Sequence, residues 1–186
     1  MNRNEFGVIL EKLGLNGYGV EIGVSMGNYS EVLLSSTKLS KIYFIDPWKE
    51  YPRDVYNDNT NCTQEGQDNR FKYVTDKLKK YGDRACIIRK DSIDALRDFS
   101  DGYFDFVYID ANHAYEYVKI DVNNWYPKVK IGGVFAGHDY MNGVTKTGVY
   151  GVKQAVDEFC KNNKITPLIT GGSRRCPPSW YLIKEK

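Results

Sequence analysis

The chain has 186 residues, of which 26 are basic and 24 acidic, and its net charge is +2. This length favours a single domain, residues 1–186, that buries about two-thirds of the surface of its unfolded chain. The near balance of charge excludes a broad basic field for nucleic acid, and no stretch approaches the roughly 18 apolar residues of a membrane span.

The four cysteines, Cys62, Cys86, Cys160 and Cys176, are widely spread and form no C-x-x-C pair. This distribution favours reduced thiols over a disulfide framework or a zinc site. Residues 1–5 are polar and lack the apolar core of a signal peptide. The sequence therefore predicts a cytoplasmic protein.

Hydrophobic periodicity predicts that helices and strands alternate along the chain. In chain order, the predicted elements are a helix over 6–13, a strand over 18–22, a helix over 28–37, a strand over 42–45, a helix over 63–81, a strand over 85–88, a short helix beginning at 91 or 92, a strand over 104–109, a helix over 115–129, a strand over 134–136, a helix over 149–159 and strands over 165–170 and 180–183. Residues 47–62 and 141–148 are predicted as loops, the first as a lid. Gly132 and Gly133 are predicted to form a turn.

The first five strands are short, apolar and separated by helices, which is typical of a parallel sheet covered on both faces. The last two strands have no helix between them, so we expect an antiparallel hairpin at one edge. The fold class is therefore α/β, a Rossmann-like doubly wound sheet of about seven strands.

A glycine turn follows the first strand. Gly23 and Gly27 lie just ahead of a predicted helix start, an arrangement that brings backbone N–H groups close to a ligand. The spacing is not G-x-G-x-x-G, and the carboxylate of Glu21 disfavours a pyrophosphate but suits a cation. This stretch predicts a site for a nucleoside that carries positive charge.

Each of the five leading strands ends at or near a carboxylate, and these are Glu21, Asp46, Asp91, Asp110 and Asp139. In open α/β sheets, ligands bind beyond the carboxyl ends of the strands, where the strand order reverses. Any one of these acids can be a helix cap or a solvated turn residue. Five at one edge are hard to explain as caps and predict one ligand site.

These acids, with Ser92 after Asp91, resemble those of class I S-adenosylmethionine-dependent methyltransferases. The segments D-x-x-H-x-Y from Asp110 and G-G-x-x-x-x-H-D-Y from Gly132 resemble the small sugar and natural-product O-methyltransferases. The likeness covers about residues 17–160. It implies the strand order 3-2-1-4-5-7-6, a cofactor half over about 1–100 and an acceptor half over about 101–186. It also implies methyl transfer to a hydroxyl of a small polyhydroxy acceptor, a sugar or glycoconjugate.

The resemblance assigns a set of residues to S-adenosylmethionine: Glu21, Gly23, Val24, Gly27, Asn28, Tyr29, Ser30, Asp46, Trp48, Asp91, Ser92 and Asp110. Asp46 is expected to accept hydrogen bonds from both ribose hydroxyls. Glu21 and the glycine turn suit the methionine end, and Asp91 with Ser92 suits the adenine amino group. Trp48 and Ile93 are the two candidates to sandwich the adenine ring, and the alternative role for Trp48 is to anchor the lid loop.

Asp110, His113, His138 and Asp139 are the candidate catalytic residues. Methyl transfer to oxygen requires two positioned substrates and removal of the hydroxyl proton. Asp110, His138 and Asp139 are a candidate site for Mg²⁺ or Mn²⁺. Catechol-type relatives carry Asp-Asn or Asp-Asp after the fifth strand, where this chain has His138-Asp139, so the third ligand stays open. His113 as general base in a metal-independent reaction is the alternative.

Three other functions remain possible from the sequence. A metal-independent methyltransferase would act on another small metabolite, and a catalytically lapsed module would only bind the cofactor. A nicotinamide-dependent oxidoreductase is disfavoured by Glu21 and by the missing G-x-G-x-x-G. We expect no nucleic-acid partner and no membrane, while a homo-oligomer stays open. The acceptor is expected to depend on loops 47–62 and 140–148 and on Arg174-Arg175.

Overall fold

The computed structural model describes residues 3–58, 60–146, 148–172 and 177–185. Its α-helices are α1 (Phe6–Lys12), α2 (Asn28–Ser36), α3 (Gln64–Leu78), α4 (Ser92–Ala95), α5 (Tyr115–Trp125) and α6 (Val152–Asn163). Its strands are β1 (Tyr18–Ile22), β2 (Lys41–Ile45), β3 (Ala85–Ile88), β4 (Phe104–Ile109), β5 (Val129–Gly137), β6 (Asn142–Thr145), β7 (Gly148–Gly151), β8 (Leu168–Ile169) and β9 (Trp180–Ile183). Short 3₁₀ helices occupy Arg3–Glu5, Lys79–Arg84, Leu96–Asp98 and Tyr126–Lys128.

Within the described residues, seven strands form one sheet in the order β3-β2-β1-β4-β5-β9-β8. The pairs from β3 to β5 are parallel, and β9 runs antiparallel to both β5 and β8. This arrangement confirms the predicted fold class and strand order. The strand order reverses between β1 and β4, so the carboxyl ends of these two strands mark the expected ligand site.

The sheet is buried on both faces. All six residues of β4 are buried, which fits a central parallel strand. Val107 belongs to a core that includes Trp125 of α5 and Val156 of α6. Its neighbour Phe106 belongs to a second core that includes residues of α1, α2 and α3. Because successive side chains of a strand point to opposite faces, helices cover both sides of the sheet.

Two boundaries around β5 differ from the prediction. α5 ends at Trp125, and Val129 begins β5 instead of extending the helix. Gly132 and Gly133 lie within β5 and not in a turn, since the N–H of Gly132 donates to the carbonyl of Lys184 at 2.6 Å. The glycines accommodate an irregular stretch, in which the β4–β5 register shifts and Gly132 has a φ of 80°.

The segment predicted as a loop over 141–148 is part of a β-hairpin, β6 with β7. Val149, which we predicted in a helix, lies in β7 and is exposed. Its spacing from Val152 fits helical periodicity by coincidence, and the glycines and asparagine of this hairpin have low strand propensity. The predicted strand over 165–170 is reduced to Leu168–Ile169.

Residues 47–62 form a segment that is held together by hydrogen bonds between its own residues. The side-chain amide of Asn61 donates to the carbonyls of Tyr51 and Tyr56, both at 2.8 Å. The guanidinium of Arg53 donates to the carbonyls of Asp58 and Asn61. The role of this segment as a lid stays a prediction.

Cys62, Cys86 and Cys160 are free thiols, as predicted. Cys176 and the Arg174-Arg175 pair lie outside the described residues. None of the described helices combines the length and apolar character needed to cross a membrane.

Candidate active site

The glycine turn after β1 lies against the end of β4. Gly23 has a φ of 88°, and a Cβ added there would lie 2.1 Å from the carbonyl oxygen of Asp110. Gly27, with a φ of 67°, occupies the N-cap position of α2. Both positions require glycine because other residues rarely adopt this backbone conformation. The turn and the β4 end therefore form one continuous surface.

Asp46, at the end of β2, holds the turn in place. One carboxylate oxygen accepts from the backbone N–H groups of Val24 and Ser25, each at 2.9 Å, and the other accepts from the N–H of Trp48 at 2.8 Å. Burial raises the pKa of Asp46 against the lowering effect of these three bonds. Asp46 thus fixes the geometry of the turn and also faces the cavity beside it.

A cavity of about 760 Å³ lies over the carboxyl ends of the strands. Most of the predicted cofactor residues line it, and these are Glu21, Gly23, Val24, Asn28, Tyr29, Asp46, Asp91, Ser92 and Asp110. Gly27 and Ser30 lie behind this wall. Ser30 donates from its hydroxyl to Glu21 at 2.5 Å, and burial raises the pKa of Glu21 to about 8. Glu21 is therefore largely protonated at neutral pH while no ligand lies beside it.

Trp48 does not line the cavity. Its indole is 1% exposed, packs against Phe71 and donates from Nε1 to the carbonyl of Ser25 at 3.0 Å. This position disfavours Trp48 as the side chain that sandwiches the adenine. The side chain anchors the start of the 47–62 segment, which was the alternative.

Three of the four candidate catalytic residues meet in one cluster. His113 Nε2 lies 3.0 Å from Asp139 Oδ2 and 3.5 Å from Asp110 Oδ1. Its ring stacks on Tyr150 of β7 with centroids 4.8 Å apart. Neither ring nitrogen has a hydrogen bond of acceptable geometry, although both are buried. A buried imidazole with no hydrogen bond marks a place where a further group fits.

The charges around His113 determine its protonation. Burial lowers the pKa of His113, but the facing carboxylates of Asp110, Asp139 and Asp58 outweigh it and raise the pKa well above its usual value. Burial alone would raise the pKa of Asp139, but the neighbouring His113 and His138 outweigh burial and lower this pKa below its usual range. An imidazole held in the charged form cannot accept a proton. This arrangement disfavours His113 as a general base. The imidazole would be neutral only if a cation bound to the cluster replaced its proton.

His138 takes a different position from the one expected of a metal ligand. Its Nδ1 lies 3.0 Å from Asp139 Oδ1 and 4.0 Å from Asp110 Oδ1, and it is 7% exposed. Among the described residues, the three groups with potential ligand atoms within 4.8 Å of one another are Asp110, His113 and Asp139. The third member of the cluster is therefore His113 and not His138. The D-x-x-H spacing carried that signal in the sequence.

Two further residues reach the cluster without a sequence signal. Asp58, from the 47–62 segment, lies 3.8 Å from His113 Nδ1. Arg3 donates from Nη2 to Asp110 Oδ2 at 2.8 Å, with its guanidinium 4.0 Å above the ring of Tyr29. The Tyr29 hydroxyl in turn donates to the carbonyl of Arg3 at 2.7 Å. The start of the described chain therefore forms part of the cavity wall.

Asp121 of α5 is a buried acid that lies near the end of β3, where it meets Ser92. The hydroxyl of Ser92 donates to Asp121 Oδ1 at 2.5 Å and accepts from Trp125 Nε1 at 2.7 Å. Asp91 occupies the N-cap position of α4 without a capping bond and accepts instead from the hydroxyl of Tyr51. Asp121 also lines the cavity, and periodicity alone assigned it only to a helix.

A doubly wound sheet in this order, with a glycine turn and carboxylates around one cavity at the switch point, defines a cofactor-binding α/β enzyme. Residues 20–140 match the profile of a family described as "Methyltransferase domain". This range is more than half of the 186 residues, so the chain belongs to that family. It is a methyltransferase.

Solved structures of other methyltransferases share this fold. An O-methyltransferase from Bacillus cereus in complex with S-adenosylhomocysteine (SAH) superposes with a TM-score of 0.65 at 14% identity, covering 98% of this chain and 80% of that chain. An SAH-bound methyltransferase from Podospora anserina gives 0.65 at 16% identity, covering 99% and 78%.

A third structure is the 1,6-didemethyltoxoflavin-N1-methyltransferase of Burkholderia thailandensis with its acceptor and SAH bound. It gives a TM-score of 0.63 at 10% identity, covering 99% of this chain and 78% of that chain. At these identities the likeness shows the fold alone. No curated protein matches the sequence.

Proposed function

We propose that this enzyme transfers a methyl group from S-adenosylmethionine to a hydroxyl of a small polyhydroxy acceptor, a sugar or glycoconjugate. The observation that carries the proposal is the cluster of Asp110, His113 and Asp139 at the cavity beside the glycine turn. An aliphatic hydroxyl is a weak acid, so its methylation needs groups that hold the oxygen and receive its proton. The carboxylates of this cluster supply acceptors that hold the hydroxyl next to the predicted methyl donor.

The cavity suits the cofactor in size and polarity. Its volume of about 760 Å³ falls within the range of about 300–1,000 Å³ that is usual for small-molecule sites. The methionine end is assigned to the turn at Gly23, beside Glu21. The ribose is assigned to Asp46, whose Oδ1 accepts from Trp48 alone and keeps a second lone pair for a ribose hydroxyl. The adenine is assigned to the end of β3, near Asp91.

The cluster also fits a divalent cation, Mg²⁺ or Mn²⁺. Two carboxylates and an imidazole whose buried nitrogens have no hydrogen bond form a donor set of oxygen and nitrogen that such ions accept. Asp110, His113 and Asp139 would hold the ion. When bound, it supplies Lewis acidity that lowers the pKa of a coordinated hydroxyl.

The protein's own residues orient the acceptor: the carboxylates of Asp110 and Asp139 accept a hydrogen bond from its hydroxyl, and the released proton passes to solvent. The carboxylate of Asp139, whose pKa is kept low, holds the cluster in place and attracts a hydroxyl donor. Tyr150 and Asp58 close the cluster from the hairpin and from the 47–62 segment, which limits the access of water. Exclusion of water favours transfer of the methyl group to the acceptor over hydrolysis.

Calorimetric titration with SAH tests the cofactor assignment. We expect binding in the micromolar range, and no binding at millimolar concentration would overturn the proposal. Turnover with a panel of sugars and sugar nucleotides tests the acceptor class.

Treatment with EDTA, followed by Mg²⁺ or Mn²⁺, tests the metal. Loss and recovery of activity are expected. An unchanged rate in EDTA would instead support metal-independent transfer on another small metabolite.

A further inference from the structure

Asp121, on the buried face of α5, is a second carboxyl that lines the cavity and that the proposed reaction does not use. It is 5% exposed, and among the described residues its one hydrogen bond comes from Ser92. No described lysine or arginine pairs with it. A buried carboxyl without a cation is costly to desolvate, and burial accordingly raises the pKa of Asp121 to about 7.

A purely structural role does not explain an acid at this position. The hydrogen bond from Ser92 needs only an acceptor oxygen, which the amide of asparagine would supply without an ionisable group. The carboxyl has a second oxygen with no partner in the described part of the chain, and the residue opens onto the cavity. That oxygen is available to a donor group of a ligand in either protonation state of the carboxyl.

The surroundings of Asp121 suit a flat aromatic ring. Ile93, Tyr117 and Ile120 line the same cavity and are 41%, 43% and 46% exposed, respectively. Large apolar side chains left this open at a cavity mouth indicate a surface that a ligand covers. A polar group at the base of an apolar slot is the arrangement expected for a purine, whose faces are apolar and whose edge carries hydrogen-bonding groups.

The position of Asp121 in the fold assigns it to the adenine end of the cofactor. Ser92, its partner, follows β3, while Asp139 follows β5, and these strands are separated by three others in the sheet. With about 4.8 Å between neighbouring strands, the two ends of the site lie roughly 19 Å apart. Asp110, which follows β4, is one strand nearer, at roughly 14 Å. Asp121 is therefore remote from every member of the Asp110–His113–Asp139 cluster and cannot take part in its chemistry.

We propose that Asp121 accepts a hydrogen bond from the exocyclic amino group of the cofactor's adenine and is the residue that selects adenine over purines without that group. The hydroxyl of Ser92, which sequence reasoning assigned to this contact, donates to Asp121, and we assign it the role of a positioning residue that orients this carboxyl. Trp125 fixes Ser92 in turn. This inference rests on the proposed function, because it presupposes that S-adenosylmethionine occupies the cavity.

The test compares SAH with S-inosylhomocysteine, in which a carbonyl oxygen replaces the amino group. The full chain is titrated with each compound by calorimetry. The titration is made at about pH 9, above the pKa of Asp121, where the carboxyl is ionised. A hydrogen bond to a charged group contributes about 1.5–3 kcal/mol, so we expect SAH to bind roughly 10–100-fold more tightly than the inosine analogue. In Asp121→Asn the amide can donate to the carbonyl oxygen, so this ratio is expected to fall to within about threefold or to reverse.

Glu116→Gln is the matched control, because Glu116 is an exposed acid on the same helix that does not line the cavity. Its ratio is expected to equal that of the wild type. Equal affinities of the wild type for the two compounds, or an unchanged ratio in Asp121→Asn, would overturn the inference while leaving the proposed function intact. Failure of the wild type to bind SAH at all would overturn both. The wild-type comparison requires no variant, so the test does not depend on the folding of Asp121→Asn.

Discussion

Replacing Asp121 by asparagine is expected to change how the stability of the protein depends on pH. The pKa of this carboxyl rises from 3.8 to about 7 on folding because the side chain is buried. Between these two values the native protein keeps a proton that the unfolded chain has released. The contribution of Asp121 to stability therefore falls as the pH rises through this window and is constant above it. Asparagine does not titrate, so the variant lacks this loss.

The shift of about three units corresponds to about 4 kcal/mol at about 1.4 kcal/mol per unit. We expect the variant to gain up to this amount of stability relative to the wild type between about pH 4 and pH 8, with no further gain at higher pH. Urea denaturation of both proteins without cofactor, at intervals across this range, measures the difference. Glu116→Gln controls for the removal of an acid from α5. A difference that stays constant with pH would refute the reasoning.

Three further substitutions test the site. Gly23→Ala puts a Cβ 2.1 Å from the carbonyl oxygen of Asp110, so we expect it to lower the free energy of unfolding, measured in urea, by more than about 2 kcal/mol. Gly14→Ala is the control, because Gly14 has a similar φ but no atom within 4 Å of the added Cβ. We expect it to lower the free energy of unfolding by about 1–2 kcal/mol. His113→Ala should weaken Mn²⁺ binding at least about tenfold in calorimetry while leaving SAH affinity within about twofold; equal Mn²⁺ affinity would remove His113 from the ligand set. Trp48→Phe should lower stability by about 1–3 kcal/mol with SAH affinity within about threefold, and a much larger loss of affinity would return Trp48 to the cofactor site.

The fold was predictable because its signals are local. Short apolar strands alternate with helices at recognisable spacing, and each strand of the parallel core ends at an acid. The prediction of secondary structure was wrong where one sequence pattern fits two kinds of element. Val129 and Val149 fit both a helical stripe and a strand, and the glycines of β5 fit both a turn and an irregular strand.

The sequence predicted the site residues that directly follow the strands, but not those that reach the site by packing. Sheet topology brings Asp110 and Asp139 to one edge, but the choice between His113 and His138 depends on the direction in which each side chain leaves the backbone. Arg3 lies 107 residues from its partner Asp110, and no periodicity connects them. Contacts of this kind follow from packing in three dimensions, which a single sequence does not record.

The contact between Arg3 and Asp110 has a practical consequence for handling the protein. Arg3 lies in the cavity wall, so histidines of a polyhistidine tag placed next to it would compete for the carboxylates of a cluster suited to a cation. The other end of the chain is safer. Lys184 bonds to Gly132 and Gly133, in the first half of β5, whereas the cavity lies beyond the opposite end of that strand. The chain around Lys184 therefore lies beside the end of β5 that is remote from the site.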